Sequence, residues 1–235
     1  MSRLGVFDSG LGGYDILQQI QKKYPEQDLI FLADQKNVSY GNKSRAELEN
    51  IFNENMTFFK KKRVKRVLVA CNTMSALELE YPGIELYRII ETTASKVEEE
   101  KVIVLATKFT VENHAYKKYL TEKEVIEIAL PNMARLIESG ASEEEILEEI
   151  DSHCSEYKDS GISVVCGCTH FPLVKEQIYS YFGGKIYESG EAVLGLPIYS
   201  QGKGKIDVYT SGDPEEFAQK VYNIYGEEIV SHHAR

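Results

Sequence analysis

Short apolar segments alternate with helical patterns along the whole chain, and this alternation limits the fold more than any other feature. Strand-like segments lie at residues 4–7, 29–32, 67–70, 102–105, 125–130 and 162–165. Their apolar residues are consecutive rather than alternate, which is typical of parallel strands buried on both faces of a sheet. The alternation with helices therefore predicts an α/β protein with mainly parallel sheets.

Several helix starts are marked by capping residues. A helix is expected to begin near Ser44, and Ser142 forms a capping box with Glu145 for a later helix. Asp213 and Pro214 suit the N-cap and the first position of a final helix. The first two signals place helices between predicted strands, and the last places a helix after them.

The turns after the strands repeat in the two halves of the chain. A hydroxyl-bearing turn at residues 8–10 precedes a cysteine-bearing turn at 70–73, and residues 106–110 and 167–170 repeat the pair. Parallel sheets bind ligands at the carboxyl ends of their strands. We therefore expect two similar lobes with the active site in the cleft between them. The first lobe would comprise residues 1–93 and 193–235, and the second lobe residues 94–192.

The net charge argues against several classes of partner. The formal charge of −10 at pH 7 repels phosphate groups, and the basic stretch at residues 60–65 suits a solvated helix end. No apolar segment approaches the roughly 20 residues that cross a bilayer, and the N-terminus lacks the pattern of a signal peptide. We therefore expect a cytoplasmic protein with neither a nucleic-acid nor a membrane partner.

The cysteine pattern indicates free thiols rather than disulfides or a metal site. The four cysteines are Cys71, Cys154, Cys166 and Cys168. Cys154 suits the apolar face of a helix, and Cys166 suits a strand. A zinc site at Cys166, Cys168 and His170 is geometrically feasible, but the paired ligand spacing is missing and no metal is expected. A redox role is disfavoured because no Cys-x-x-Cys motif occurs.

Cys71 and Cys168 each follow a buried strand in a matching context, which favours a chemical role over simple packing. Racemisation removes a proton from one face of a carbon and returns a proton to the other face. A thiol on each side can fill both roles and exchange them at each turnover. Asp8 could support Cys71, and His170 could support Cys168, by holding or accepting charge.

Polar residues near both cysteines suit an amino-acid substrate, although the same residue types also cap helices. Donors for a carboxylate and an ammonium group are offered by Ser9, Asn72, Thr73 and Thr169. Backbone N–H groups at residues 39–41 could bind a second carboxylate, or this segment could be a turn without a ligand. Residues 10–13 are glycine-rich, but no dinucleotide or Walker motif follows, which disfavours nucleotide binding.

Several segments resemble the glutamate racemase family in the same order over essentially the whole chain. They are residues 5–10 with Gly12-Gly13, Ser39-Tyr40-Gly41, 70–73, 106–108, 167–172, 189–192 and 211–213. The resemblance implies an enzyme that interconverts L- and D-glutamate without any cofactor or metal and supplies D-glutamate for bacterial peptidoglycan. Members of this family are often dimers, so a homodimer is open to this chain.

The resemblance also implies roles for individual residues. Cys71 would deprotonate D-glutamate with the support of Asp8. Cys168 would deprotonate L-glutamate with the support of His170, and Glu138 matches the carboxylate that partners this histidine in the family. The residues implied for substrate binding are Ser9, Asn72, Thr73 and Thr169 for the α-carboxylate and ammonium, and Tyr40 and Gly41 for the side-chain carboxylate.

The chain departs from the family pattern in places, which leaves substrate preference open. Ser39 stands where the family usually has proline, Met74 stands where alanine is usual, and residues 132–135 replace a more apolar stretch. The Cys-Thr-His sequence at residues 168–170 resembles the glutamate branch more than the aspartate racemases. The alternatives are a racemase for aspartate or of mixed specificity, and a catalytically weak protein that binds an acidic amino acid.

Overall fold

Two parallel β-sheets organise the chain, whose residues 3–234 are described by a computed structural model. The strands are β1 (Leu4–Asp8), β2 (Leu29–Ala33), β3 (Arg66–Val69), β4 (Glu85–Arg88), β5 (Lys101–Ala106), β6 (Glu124–Ala129), β7 (Ser163–Gly167), β8 (Ile186–Tyr187), β9 (Ile206–Thr210) and β10 (Ser231–His233). The six-stranded sheet has the order β10-β9-β2-β1-β3-β4, and the four-stranded sheet has the order β6-β5-β7-β8. Neighbouring strands are parallel throughout, so the predicted α/β class with mainly parallel sheets is confirmed.

Helices connect the strands, and their starts agree with the capping signals. They are α1 (Gly12–Lys23), α2 (Arg45–Lys61), α3 (Asn72–Ser75), α4 (Ile89–Ala94), α5 (Lys108–Glu112), α6 (Met133–Glu138), α7 (Glu143–Cys154), α8 (Lys175–Phe182), α9 (Ser189–Val193) and α10 (Pro214–Tyr225). Ser44 and Ser142 cap α2 and α7 through capping boxes, and the Asp213 side chain caps α10. Within residues 3–234, no helix combines the length and the apolar character that a membrane span needs.

Every strand that the apolar segments predict is present, but those segments do not indicate β4, β8, β9 or β10. β8 has only two residues, and β10 has the sequence Ser-His-His at the edge of its sheet. β4 and β9 each contain polar as well as apolar residues, and most of their residues are only half-buried. Short or partly exposed strands lack a continuous apolar run, which is why the pattern does not reveal them.

The last part of the chain packs against its first part. β9 pairs with β2 in the six-stranded sheet, and β10 follows at the edge. Phe217 of α10 is fully buried and stacks on Phe31 of β2, with ring centroids 6.3 Å apart. Burying a phenylalanine side chain contributes about 1.5–3 kcal/mol. This packing helps to hold the last segment of the chain against the six-stranded sheet.

Two pairs of neighbouring strands bring the turns that carry polar residues side by side. β1 lies beside β3 in one sheet, and β5 lies beside β7 in the other. The strand register aligns Phe7 with Val69 and Ala106 with Gly167. The turn after each of these strands therefore lies beside the turn after its neighbour.

Candidate active site

The turns after β1, β3, β5 and β7 line one cavity of about 280 Å³. The six-stranded sheet contributes Ser9, Cys71, Asn72 and Thr73. The four-stranded sheet contributes Thr107, Cys168, Thr169 and His170. Tyr40, Gly41 and Glu138 also line this cavity, whereas the predicted residue Asp8 does not. A cavity of this size with convergent polar groups suits a small polar molecule.

Cys71 lies at the N-terminus of α3, and its side chain is buried. Its thiol donates to Ser9 Oγ across 3.7 Å. Burial raises the pKa of the Cys71 thiol well above its ordinary value, and the nearby Asp8 carboxylate raises this pKa further. Cys71 is therefore a protonated thiol at neutral pH and can donate a proton.

Asp8 is fully buried behind the cavity wall. Its Oδ1 accepts a hydrogen bond from the Gly10 N–H at 2.9 Å, and its Oδ2 accepts one from the Thr169 hydroxyl at 3.1 Å. Burial raises the pKa of Asp8, although His170 and the hydrogen-bond donors oppose this shift. Asp8 thus joins the turn after β1 to the turn after β7, and it influences Cys71 through its charge.

Cys168 and His170, which follow β7, form a hydrogen-bonded chain with Glu138 at the end of α6. His170 Nδ1 lies 3.7 Å from Cys168 Sγ, and His170 Nε2 lies 2.8 Å from Glu138 Oε1. Burial by itself would lower the pKa of His170, but Cys168 and Glu138 outweigh it and raise this pKa well above its ordinary value. The pKa of Glu138 is lowered by His170 against the effect of its own burial. His170 is therefore an imidazolium that can stabilise a Cys168 thiolate.

Buried polar groups outside the cavity hold the segment around Tyr40 and Gly41 in place. The Tyr40 hydroxyl donates to Asp34 Oδ2 at 2.5 Å, and the Ser211 hydroxyl donates to Asp34 Oδ1 at 2.5 Å. A Cβ atom on Gly41 would lie 2.8 Å from Thr107 Cβ, so this position requires glycine. The proton of the Tyr40 hydroxyl goes to Asp34, so this hydroxyl does not donate to the cavity.

Amide and hydroxyl groups complete the cavity lining. Thr73 Oγ1 and Thr107 Oγ1 lie 2.9 Å apart and connect the ends of β3 and β5. Asn72 is 2% exposed, and its Nδ2 is one of two buried side-chain polar atoms within residues 3–234 that lack a hydrogen-bond partner. Buried donors are normally satisfied. The Asn72 amide is therefore available to a ligand in the cavity.

The sequence patterns did not single out Thr107, Asp34 or Arg135 as site residues. Thr107 follows β5 as Ser9 follows β1, so the repeated turns carried a signal for it. Asp34 carried no such signal, because no repeated turn or motif includes it and its partner Ser211 is 177 positions away in the chain. Arg135 supplies the only guanidinium group among the described residues that line the cavity.

The two remaining cysteines lie in the hydrophobic core outside the cavity. Cys154 belongs to α7 and Cys166 to β7, and both are fully buried. All four cysteines are free. Across the described residues 3–234, no group of three or more His, Cys, Asp or Glu side chains is arranged to hold a metal ion.

The arrangement of the cavity can transfer protons to and from a small molecule. Cys71 offers a protonated thiol beside an acidic group, whereas Cys168 lies beside an imidazolium. The two thiols come from different sheets and have different supporting groups. Such a pair can supply one acid and one base to the same bound molecule.

Comparison with known proteins identifies the family. No protein-family model matches the chain. The protein named glutamate racemase 2 from Caldanaerobacter subterraneus subsp. tengcongensis is 33% identical, and the match covers 96% of this chain and 94% of that protein. The solved glutamate racemase of Aquifex pyrophilus is 29% identical, with a TM-score of 0.84 over 99% of this chain and 98% of that chain.

A further solved structure shares the fold. It is the glutamate racemase of Francisella tularensis in complex with D-glutamate, which has a TM-score of 0.88 and 24% identity over 99% of this chain and 97% of that chain. The extent and identity of the match to the Caldanaerobacter protein go beyond a shared fold. This chain belongs to the glutamate racemase family.

Proposed function

We propose that this chain is an isomerase that interconverts L- and D-glutamate through two thiols and without a cofactor. The observation that carries the proposal is that Cys71 and Cys168 line the same cavity, each with its own supporting group. Relatives named glutamate racemase, and the Francisella tularensis protein in complex with D-glutamate, support glutamate as the substrate.

The proposed proton transfers begin with Cys71 as the acid and Cys168 as the base. Cys168, as a thiolate beside the His170 imidazolium, takes the α-proton of L-glutamate. Cys71 then gives its thiol proton to the opposite face of the carbanion, and D-glutamate is the product. The thiols have now exchanged states, so the reverse reaction begins with Cys71 as the base. The raised pKa values of Cys71 and His170 favour the state that accepts L-glutamate first.

The supporting residues would act by orientation and charge. Glu138 holds the His170 ring through Nε2 and favours its charged form. Asp8 holds the Thr169 hydroxyl and sets the electrostatic environment of Cys71. Neither carboxylate needs to touch the reacting carbon for these effects.

The turns after the strands would bind one end of glutamate, and the segment around Tyr40 and Gly41 would bind the other end. We assign the α-carboxylate and ammonium of glutamate to Ser9, Asn72, Thr73 and Thr169. The side-chain carboxylate is assigned to the backbone N–H groups of Tyr40 and Gly41. The unpartnered Nδ2 of Asn72 and the position of all these residues on the cavity support this division.

The proposal is tested by following the circular dichroism of L-glutamate, D-glutamate and L-aspartate in the presence of the enzyme. Both glutamate enantiomers should lose their signal, and in deuterium oxide the product should carry deuterium at Cα. Cys71→Ala and Cys168→Ala should each lower turnover in both directions by about 10²- to 10⁴-fold, because one face of the carbon loses its acid–base group.

Cys154→Ala is the matched control, because it removes a buried thiol outside the cavity. It should keep wild-type turnover. Faster racemisation of aspartate than of glutamate would contradict the substrate assignment. Tight glutamate binding without racemisation would show that the protein binds glutamate but is not a racemase.

The domain division and the cellular setting are further parts of the proposal. We propose a first lobe of residues 1–93 and 193–235 and a second lobe of residues 94–192, which the membership of the two sheets supports. We also propose that the enzyme supplies D-glutamate for peptidoglycan, that a homodimer is open to it, and that it is cytoplasmic; the four free thiols are consistent with a reducing compartment. Light scattering of the purified chain tests the dimer.

A further inference from the structure

Only one of the two polar atoms of the Asn72 carboxamide has a hydrogen-bond partner within the described residues. Its Oδ1 accepts a hydrogen bond from the Tyr116 hydroxyl at 2.7 Å, whereas its Nδ2 has no partner within the described residues. Asn72 itself is 2% exposed and lines the cavity. One end of the amide is therefore fixed by the protein, and the other end is left for a ligand.

Tyr116 lies outside the cavity and hydrogen-bonds the cavity residue Asn72. It lies in the turn that follows α5, its side chain is fully buried, and it does not line the cavity. Its ring packs against Gly167, where a Cβ atom would lie 3.1 Å from Tyr116 Cε2. The phenol thus reaches from the connection after β5 to the first residue of α3.

Two further hydroxyls lie near the Tyr116 phenol. Burial raises the pKa of this phenol, and the Thr93 and Ser189 hydroxyls oppose the shift. Thr93 Oγ1 donates to the Ile89 carbonyl oxygen at 2.8 Å and lies 3.0 Å from Ser189 Oγ. Because the single Thr93 proton has the Ile89 carbonyl as its nearer acceptor, the Ser189 hydroxyl is the group that can donate to the phenol oxygen, and the Tyr116 proton then goes to Asn72 Oδ1.

We propose that Tyr116 is a positioning residue that fixes the orientation of the Asn72 amide, so that Nδ2 faces the substrate carboxylate. The inference rests on the proposed function, because it assumes a carboxylate ligand at Asn72. An amide turned by 180° would present Oδ1 to that carboxylate, and two acceptors would repel each other. Tyr116 excludes this orientation by requiring an acceptor at its end of the amide.

The effect of Tyr116 should appear in substrate affinity rather than in the chemical step. Among the described residues, the Tyr116 hydroxyl donates to Asn72 and not to either catalytic thiol, Asp8, His170 or Glu138, so kcat should change little. The two enantiomers have equal free energy, so kcat/KM must fall equally in both directions for any variant. The diagnostic quantity is therefore the separate change of KM and kcat.

The experiment compares Tyr116→Phe with Tyr119→Phe by circular dichroism. Tyr119 lies in the same turn, is 38% exposed, and donates to Glu78 away from the cavity, so its variant is a matched control. Tyr116→Phe should raise KM for both enantiomers by about tenfold, the equivalent of one buried hydrogen bond, with kcat within about twofold of wild type. Tyr119→Phe should leave both constants unchanged.

A double-mutant cycle separates positioning from a general structural effect. In the Asn72→Ala background, adding Tyr116→Phe should change KM by less than about twofold, because the residue through which Tyr116 acts is gone. An equal KM increase in both backgrounds would overturn the proposal. So would an unchanged KM in Tyr116→Phe, or a loss confined to kcat.

Ser189→Ala provides a second variant should Tyr116→Phe fail to fold. It leaves the phenol in place but removes the donor that directs its proton, and it should raise KM by about threefold. An unchanged KM in this variant would overturn the proposal. A failure of the proposed function would look different, because the wild-type enzyme itself would not racemise glutamate in the same assay.

Discussion

Glu138→Gln removes the charge that holds His170 in its imidazolium form while keeping the shape of the side chain. In the wild type, Glu138 Oε1 lies 2.8 Å from His170 Nε2, and both side chains are largely shielded from water. A hydrogen bond to a charged group contributes about 1.5–3 kcal/mol, and a neutral one about 0.5–1.5 kcal/mol. The difference of roughly 1–1.5 kcal/mol corresponds to about a tenfold loss of kcat/KM.

The pH dependence of this variant has a definite sign. Cys168 and Glu138 raise the pKa of His170, so the imidazolium of the wild type persists well above the ordinary titration range of histidine. Loss of the Glu138 charge lowers this pKa. If the imidazolium supports Cys168, the alkaline fall in kcat/KM should begin at a lower pH in Glu138→Gln than in the wild type.

The assay is racemisation of both glutamate enantiomers across the neutral and alkaline range. Glu127→Gln is a matched control, because Glu127 pairs with His114 at 2.7 Å in a second carboxylate–histidine pair that does not line the cavity. Its pH profile should equal that of the wild type. An unchanged rate and an unchanged alkaline limb in Glu138→Gln would refute the role of the imidazolium.

Three other substitutions test the packing around the site. Gly12→Ala would place a Cβ atom 2.5 Å from the backbone carbon of Thr169, so overpacking should destabilise the fold by about 1–3 kcal/mol in urea unfolding and reduce kcat/KM. Asp34→Ala leaves the buried Tyr40 hydroxyl without its acceptor, and it should cost about 1–3 kcal/mol and raise KM for glutamate. Phe217→Ala should cost about 3–5 kcal/mol of unfolding free energy, because this side chain is fully buried, while the thiols stay in place. An unfolding free energy equal to that of the wild type in any of these variants, or an unchanged KM in Asp34→Ala, would contradict the contact concerned.

The sequence alone determined the buried strands, the helix starts marked by capping residues, and the residue types of the turns, but not the short or partly exposed strands β4, β8, β9 and β10. Continuous apolar runs mark buried parallel strands, because both faces of such strands lose contact with water. The segments that carry Cys71 and Cys168 are local in the chain, so their residue types could be recognised without coordinates. The capping residues Ser44 and Ser142 are equally local, since each bonds to a residue three positions away.

Only the tertiary structure decided which polar groups meet. His170 pairs with Glu138 across 32 positions, Thr169 reaches Asp8 across 161, and Tyr116 reaches Asn72 across 44. The pairing with Glu138 was implied by family resemblance, whereas no pattern in the residues indicated Tyr116. Strand order and register bring such residues together, and no residue spacing along the chain encodes these distances. Hydrogen bonds depend on separations of a few tenths of an ångström, so the supporting network of the site became visible only once both sheets were assembled.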